Sequence, residues 1–267
     1  MLLLRFLFTH SNFRAKVVLI TGASEGIGAA LATALRAQGA LLSLVARNGE
    51  RLREVGGPDA LITAGDITCE TIRRKAIEAT VAHFGRLDIL VNNAGRGLYY
   101  RASDTPMDEA RALMELNFFA PVALAQLATP HLRASKGSLV NIASIAAQIS
   151  LPWLPIYSAS KFALSSITSS QRMELHKDGV HVLCVYPGYV RTAFQDHAIG
   201  PKPPQVVVRG KRFAVTPEQC ADAILHGIAR RRNTVVTPWI GWGLVWLHRF
   251  FPGLVESKMR LAETDAS

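Results

Sequence analysis

The stretch Thr21-Gly22-Ala23-Ser24-Glu25-Gly26-Ile27-Gly28 decides how this chain is interpreted, because it separates an apolar run from a helical stretch. The run before it, Lys16 to Ile20, is typical of a parallel strand that is covered on both faces. Helical composition follows from Ala29 to Gln38. In this context the glycine turn predicts a phosphate-binding loop, since a helix N-terminus offers free N–H groups and the positive end of a dipole. The glycines alone leave an ordinary strand-to-helix turn open.

The residues of this turn form the first part of a predicted dinucleotide site. Gly22 permits the tight turn, while Gly26 and Gly28 let the pyrophosphate and the helix backbone approach closely. The predicted contacts in the turn are Gly22, Ser24, Glu25, Gly26, Ile27 and Gly28.

The end of the next strand, Leu41 to Ala46, bears on the choice of cofactor. A dinucleotide fold places its ribose-reading residue about 20 positions past the glycines, and an acidic residue there favours NAD. This chain has Arg47, which can pair bidentately with a 2′-phosphate and favours NADP(H) over NAD(H). A solvated arginine at a strand end is the alternative. Glu25 is a complication, because its carboxylate could lie near the same phosphate.

Tyr157 and Lys161 form a Tyr-x-x-x-Lys pair, and Ser144 precedes them at the end of the apolar strand Ser138 to Ala143. Carbonyl reduction needs a proton on oxygen, and Tyr157 is the predicted general acid. A free tyrosine has a pKa of about 10. An ammonium about 4 Å away supplies roughly 4 kcal/mol toward the phenolate at an effective dielectric of about 20. Lys161 lies one helical turn away, and Ser144 would stabilise the developing oxyanion.

These motifs together resemble the short-chain dehydrogenase/reductase family, in order and spacing, from about Ala15 to Val236. The resemblance assigns Asn117 to the family's catalytic asparagine, with Ser144, Tyr157 and Lys161 as the other catalytic residues. It also assigns cofactor contacts to Asp66, Ile67, Asn93, Ala94, Gly95, Pro187, Gly188, Val190 and Thr192. Tyr157 and Lys161 contact the cofactor too, and by resemblance Lys161 binds the nicotinamide ribose while Asn117 holds a relay water.

The resemblance implies a Rossmann-type α/β fold, with a doubly wound parallel sheet in a three-layer α/β/α arrangement and a single domain. It implies an NADP(H)-dependent carbonyl reductase or alcohol dehydrogenase. The apolar residues Trp153, Leu154, Tyr189 and Phe194 are candidate pocket walls and suit a hydrophobic, lipid- or steroid-like substrate. The alternative is a non-catalytic NADP(H)-binding sensor or a membrane-surface scaffold, since fold does not imply activity.

The chain divides into three predicted regions. Residues 1–14 form a short apolar N-terminal extension. Residues 15–237 form the Rossmann domain, with a proline-rich substrate lid at about 190–215. Residues 238–267 form an apolar C-terminal helix and tail. We expect one helix from Pro238 to Phe251, which Pro252-Gly253 ends.

This C-terminal helix places Trp239, Trp242, Trp246 and Phe250 on one side. At roughly 21 Å it is shorter than the roughly 30 Å core of a bilayer. Tryptophan favours membrane interfaces, so a peripheral membrane contact beside the substrate entrance is one interpretation. Packing on the domain or across a dimer is the other.

Composition limits the remaining partners. The net charge of +10 is spread along the chain apart from Arg230-Arg231-Arg232, which ends a predicted helix. No interleaving of basic and aromatic residues supports nucleic-acid binding. The three cysteines show no paired spacing and the eight histidines no metal-ligand spacing, so we expect a reducing, cytoplasmic compartment and no metal. The long helical stretches Met107 to Arg133 and Ile156 to Lys177 imply, by resemblance, a homodimer or homotetramer.

Overall fold

The computed structural model describes residues 13–201 and 213–264, with side chains through residue 260. Most of the predicted N-terminal extension and the middle of the predicted lid, residues 202–212, lie outside these ranges. The strands are β1 Val17–Thr21, β2 Leu41–Ala46, β3 Leu61–Ala64, β4 Ile89–Asn92, β5 Ser138–Ile142, β6 His181–Pro187 and β7 Thr234–Thr237. In the described part of the chain they form one sheet of order β3-β2-β1-β4-β5-β6-β7, with every neighbouring pair parallel.

Helices cover both faces of the sheet, so the predicted Rossmann-type three-layer fold is confirmed. They are α1 Gly26–Ala37, α2 Gly49–Gly56, α3 Glu70–Phe84, α4 Met107–Met114, α5 Ala120–Ser135, α6 Pro155–Glu174, α7 Pro217–Ala229, α8 Gly241–Phe250 and α9 Pro252–Thr264. Thr216 and Gln219 form a reciprocal capping box at the start of α7.

The pleat of β1 shows how the core divides. Val18 and Ile20 pack with α1 and α7 on one face, whereas Val17 and Leu19 pack with α3 and α5 on the other. Successive strand side chains point to opposite faces, so an uninterrupted apolar run fills two cores at once. The strand order reverses between β1 and β4, and this places the glycine turn beside the turn that follows β4.

The predicted helix from Met107 to Arg133 is not a regular α-helix throughout. A π-helical turn, Glu115–Phe119, separates α4 from α5. Pro121 has no N–H to donate to the carbonyl of Asn117, four residues earlier, and this disfavours the α-helical hydrogen bond there. The π-turn holds Asn117 fully buried.

The C-terminal prediction is wrong in two respects. The helix begins at Gly241 rather than Pro238, and a second helix, α9, follows it directly. Pro252 ends α8 but can begin α9, because the first helical positions do not require an N–H donor.

In the described ranges, one helical stretch, Met107–Ser135, is long enough and apolar enough to cross a membrane, judged by length and composition alone. Its residues Leu124, Ala128 and Leu132 are buried against the sheet. The domain itself therefore covers the apolar face of this stretch.

Candidate active site

A cavity of about 1550 Å³ opens at the carboxyl ends of the strands, and we call it the central cavity. It is lined by these predicted site residues: Gly22, Ser24, Glu25, Gly26, Ile27, Arg47, Asp66, Ile67, Asn93, Ala94, Gly95, Ser144, Tyr157, Lys161, Pro187, Gly188, Val190 and Thr192. Gly28 and Asn117, the other two predicted residues, are not in its lining. Ligand pockets usually measure about 300 to 1,000 Å³, so this cavity has room for two molecules.

The glycine turn is tied to the turn after β4. Thr21 Oγ1 accepts hydrogen bonds from the backbone N–H groups of Asn93 and Ala94, each at 3.0 Å. Asn93 Nδ2 donates in return to the carbonyl oxygens of Thr21 and Gly22, each at 3.0 Å. A Cβ on Gly28 would lie 2.6 Å from Asn93 Nδ2. Gly28 therefore acts behind the cavity wall, where it permits this close packing.

The start of α1 fits a dinucleotide phosphate. Gly26 has φ +56°, in the left-handed region that suits glycine, and a Cβ there would lie 3.1 Å from Thr192 Cγ2. The N-cap residue Glu25 makes no side-chain hydrogen bond to the first turn. The first N–H groups of the helix have no intrahelical partner and lie at the cavity, where an anion could accept from them.

Two arginines and one aspartate line the central cavity near the ends of β2 and β3. Arg47, at the end of β2, and Arg51, in the first turn of α2, are exposed and line the cavity. Asp66 accepts from the backbone N–H and the hydroxyl of Thr68, at 2.9 and 2.8 Å, and this fixes its carboxylate. Sequence reasoning missed Arg51, although its position one turn into the helix after Arg47 was a usable signal.

The predicted catalytic side chains converge at the floor of the cavity. Tyr157 and Lys161 are buried on the first two turns of α6. Lys161 Nζ donates to the carbonyl of Ile142 at 2.9 Å and lies 6.0 Å from the centre of the Tyr157 ring. Ser144 follows β5, and its Oγ accepts from the Ala146 N–H at 3.1 Å.

The electrostatics of this group differ from the sequence expectation. Burial raises the pKa of the Tyr157 hydroxyl to about 12, and its interaction with Ser144 acts in the opposite direction. Burial lowers the pKa of the Lys161 ammonium to about 8. For the protein groups alone the pKa of Tyr157 is therefore raised, not lowered as expected, because desolvation of the phenolate outweighs the hydrogen bond with Ser144. Tyr157 is protonated at neutral pH.

Asn117 is buried outside the cavity lining and holds neighbouring segments together by hydrogen bonds. Its Nδ2 donates to the carbonyl of Arg96 at 3.0 Å and to Ser160 Oγ at 3.1 Å, and its Oδ1 accepts from the Arg96 N–H at 3.1 Å. Both amide donors are thus engaged, which leaves one lone pair of Oδ1 for a further partner.

The other half of the cavity is apolar. Trp153, Leu154, Tyr189 and Phe194 all line it, as the sequence indicated. The C-terminal helices complete the wall with residues that the sequence did not single out individually: Leu244, Leu247, Leu254, Val255, Lys258 and Met259.

Residues 13–201 and 213–264 contain no group of three or more His, Cys, Asp or Glu side chains that could hold a metal. The three cysteines are free thiols.

Comparison with known proteins identifies the family of this chain. The family model for short chain dehydrogenases matches residues 16–200. The chain is 37% identical over 242 residues to 11-beta-hydroxysteroid dehydrogenase-like 2 of Arabidopsis thaliana, which covers 86% of this chain and 76% of that protein.

Solved structures show the same fold. A short chain dehydrogenase from Burkholderia cenocepacia, in complex with NADP, superimposes with a TM-score of 0.80 at 25% identity, over 93% of this chain and 98% of its own. A Burkholderia phymatum enzyme in complex with NAD gives 0.83 at 23% identity, over 91% and 96%, and shows the fold alone. This chain belongs to the short-chain dehydrogenase/reductase family. It is an NAD(P)-dependent oxidoreductase.

Proposed function

We propose that this chain is an NADP(H)-dependent carbonyl reductase or alcohol dehydrogenase that acts on a hydrophobic, lipid- or steroid-like ketone or secondary alcohol. The observation that carries the proposal is the convergence of Ser144, Tyr157 and Lys161 at the floor of a cavity with one polar and one apolar half. The hydroxysteroid dehydrogenase name of the Arabidopsis relatives supports a substrate of this size.

The polar half fits the cofactor. The first turn of α1 would hold the pyrophosphate, Arg47 the 2′-phosphate, and Asp66 with Ile67 the adenine. Asn93, Ala94 and Gly95 would line the nicotinamide ribose, and the ring would lie against Pro187, Gly188, Val190 and Thr192. When bound, the reduced nicotinamide supplies the hydride.

The protein groups would handle the proton. Tyr157, protonated at neutral pH, donates its proton to the substrate oxygen as general acid. Ser144 Oγ donates a hydrogen bond to the same oxygen. Lys161 stabilises the resulting phenolate by its charge, and its bond to the Ile142 carbonyl fixes the ammonium in place. Asn117 holds the relay water through the remaining lone pair of Oδ1.

The C-terminal helices support a peripheral membrane contact. Trp239, Trp242, Trp246 and Phe250 are 81, 41, 55 and 62% exposed, and the rings of Trp246 and Phe250 stack at 5.3 Å. The same two helices line the cavity, so a lipid-like substrate would leave the bilayer beside its site.

Exposed Phe119, Phe162 and Met173 support association as a homodimer or homotetramer through the helices between residues 107 and 174.

The test follows NADPH oxidation with aldehydes and ketones of increasing chain length. Wild-type turnover should rise with chain length. Tyr157→Phe should lower kcat by about 10²-fold or more while NADPH still binds. Tyr100→Phe, at a half-buried tyrosine outside the central cavity, is the matched control. Full turnover by Tyr157→Phe would contradict the mechanism, and binding without turnover by the wild type would contradict the substrate class.

A further inference from the structure

Glu25 of the glycine turn lies between two basic side chains at the cofactor half of the cavity. Its Oε1 is 2.8 Å from His197 Nδ1, and its Oε2 is 3.6 Å from Arg51 Nη1. A carboxylate oxygen only accepts, so the imidazole N–H donates to Glu25. All three residues line the central cavity.

The three residues come from separate segments. Glu25 is the N-cap of α1, Arg51 lies in the first turn of α2, and His197 follows β6 in the first part of the lid. That part of the lid is anchored, because the Tyr99 N–H donates to the carbonyl of Ile199 at 2.8 Å. His197 therefore reaches the glycine turn from a segment that is fixed on the opposite wall.

The negative charge of Glu25 makes its position important for the binding of a phosphate nearby. Arg47 and Arg51 are the cations at the end of the cavity where a 2′-phosphate would lie. Glu25 Oε2 already forms a long ion pair with Arg51 Nη1, at 3.6 Å. Without His197 both carboxylate oxygens would be free to approach Arg51 more closely and to repel the phosphate, and both effects oppose NADP(H) far more than NAD(H). His197 engages the other carboxylate oxygen, Oε1, at 2.8 Å and so keeps the pair with Arg51 long. The remaining N–H groups of the Arg51 guanidinium then stay available to the phosphate.

We propose that His197 is a positioning residue for cofactor selectivity. It restrains Glu25, so that Arg51 joins Arg47 as a ligand of the 2′-phosphate. This inference rests on the proposed preference for NADP(H), and it adds His197 and Arg51 to the residues that determine it.

The test measures the dissociation constants of NADPH and NADH separately, by quenching of tryptophan fluorescence without substrate. His197→Ala should weaken NADPH binding by about fivefold, the scale of one partly exposed ion pair, and leave NADH within about twofold. Glu25→Gln added to His197→Ala should restore the ratio of the two constants, because the competing charge is gone. Arg51→Ala should lose NADPH affinity without rescue by Glu25→Gln. His83→Ala, at an exposed histidine on α3, is the control.

The remaining outcomes decide against the proposal in different ways. If His197→Ala weakened the binding of NADPH and NADH equally, the histidine would support the cofactor half of the cavity without regard to the 2′-phosphate. That result would overturn the inference. If the ratio of the two dissociation constants in His197→Ala equals that of an NADPH-preferring wild type, the inference is overturned as well, with the proposed function intact. A wild type without any NADPH preference would overturn the proposed cofactor, and the role of His197 with it.

Discussion

Asn117 Oδ1 and Lys161 Nζ face the same point beside Gly95. A Cβ built on Gly95 would lie 3.0 Å from the amide oxygen and 3.4 Å from the ammonium nitrogen. A hydrogen-bonding atom at that point would reach both side chains, as the proposed relay water requires. The point is reached from three segments, namely the turn after β4, the π-turn and α6.

Gly95→Ala tests this relay. Gly95 does not have a positive φ, so alanine suits its backbone and the new methyl group would occupy the shared point. We expect kcat to fall about tenfold or more, as for the loss of a step in general acid catalysis, with a smaller change in cofactor affinity. Steady-state kinetics and fluorescence titration measure the two effects.

Gly243→Ala is the control for that substitution. No atom lies within 4 Å of a Cβ on Gly243, which is inside α8, so this variant should keep its activity. It should gain up to about 1 kcal/mol of stability from helix propensity. A Gly95→Ala variant with wild-type kcat would place the relay elsewhere.

The raised pKa of Tyr157 predicts a loss of stability in alkali. The pKa is about 12 in the folded chain, against an ordinary value of about 10 in the unfolded one. Between these values the folded state holds the proton more tightly, so this contribution is complete below about pH 10 and is lost as the pH rises through about 12. Two units correspond to about 2 to 3 kcal/mol.

Urea unfolding at about pH 9 and about pH 11.5 measures this contribution. Tyr157→Phe should lose less stability between the two pH values than the wild type, because phenylalanine does not titrate. Tyr100→Phe should follow the wild type. Parallel losses in the wild type and Tyr157→Phe would mean that burial does not perturb this tyrosine in solution.

Arg47→Ala tests the phosphate contact at the end of β2. Loss of a charge-assisted pair with the 2′-phosphate should weaken NADPH binding by about tenfold or more and leave NADH nearly unchanged. The matched control is Arg53→Ala, which removes an arginine of α2 that is outside the cavity lining. If Arg47→Ala weakened the binding of NADPH and NADH equally, Arg47 would contact the adenosine rather than the 2′-phosphate.

The exposed tryptophans of α8 provide the membrane prediction. Trp242→Gln with Trp246→Gln should reduce co-sedimentation with vesicles of phosphatidylcholine and phosphatidylserine by about tenfold, because aromatic rings favour the bilayer interface. Met107→Gln removes a 59% exposed apolar side chain from α4 and should have no effect. Unchanged sedimentation with a changed oligomeric state would assign this face to a second copy of the chain.

Local sequence alone predicted the strand-turn-helix geometry of the glycine turn and the pairing of Tyr157 with Lys161 on one helix. A glycine pattern between a strand and a helix, and a tyrosine and lysine one helical turn apart, specify their geometry within a few residues. The uninterrupted apolar run of β1 likewise predicts a strand buried on both faces, and such strands belong to a doubly wound sheet. These inferences hold because each depends on the backbone of a single short segment.

Tertiary structure decided what depends on distant residues. The contact of His197 with Glu25, the shared point of Asn117 and Lys161, and the second C-terminal helix in the cavity wall join segments far apart along the chain. The pKa of Tyr157 rises because several elements bury it together, whereas the sequence shows only its lysine neighbour. Desolvation depends on everything packed around a group, so only the folded chain fixes its size.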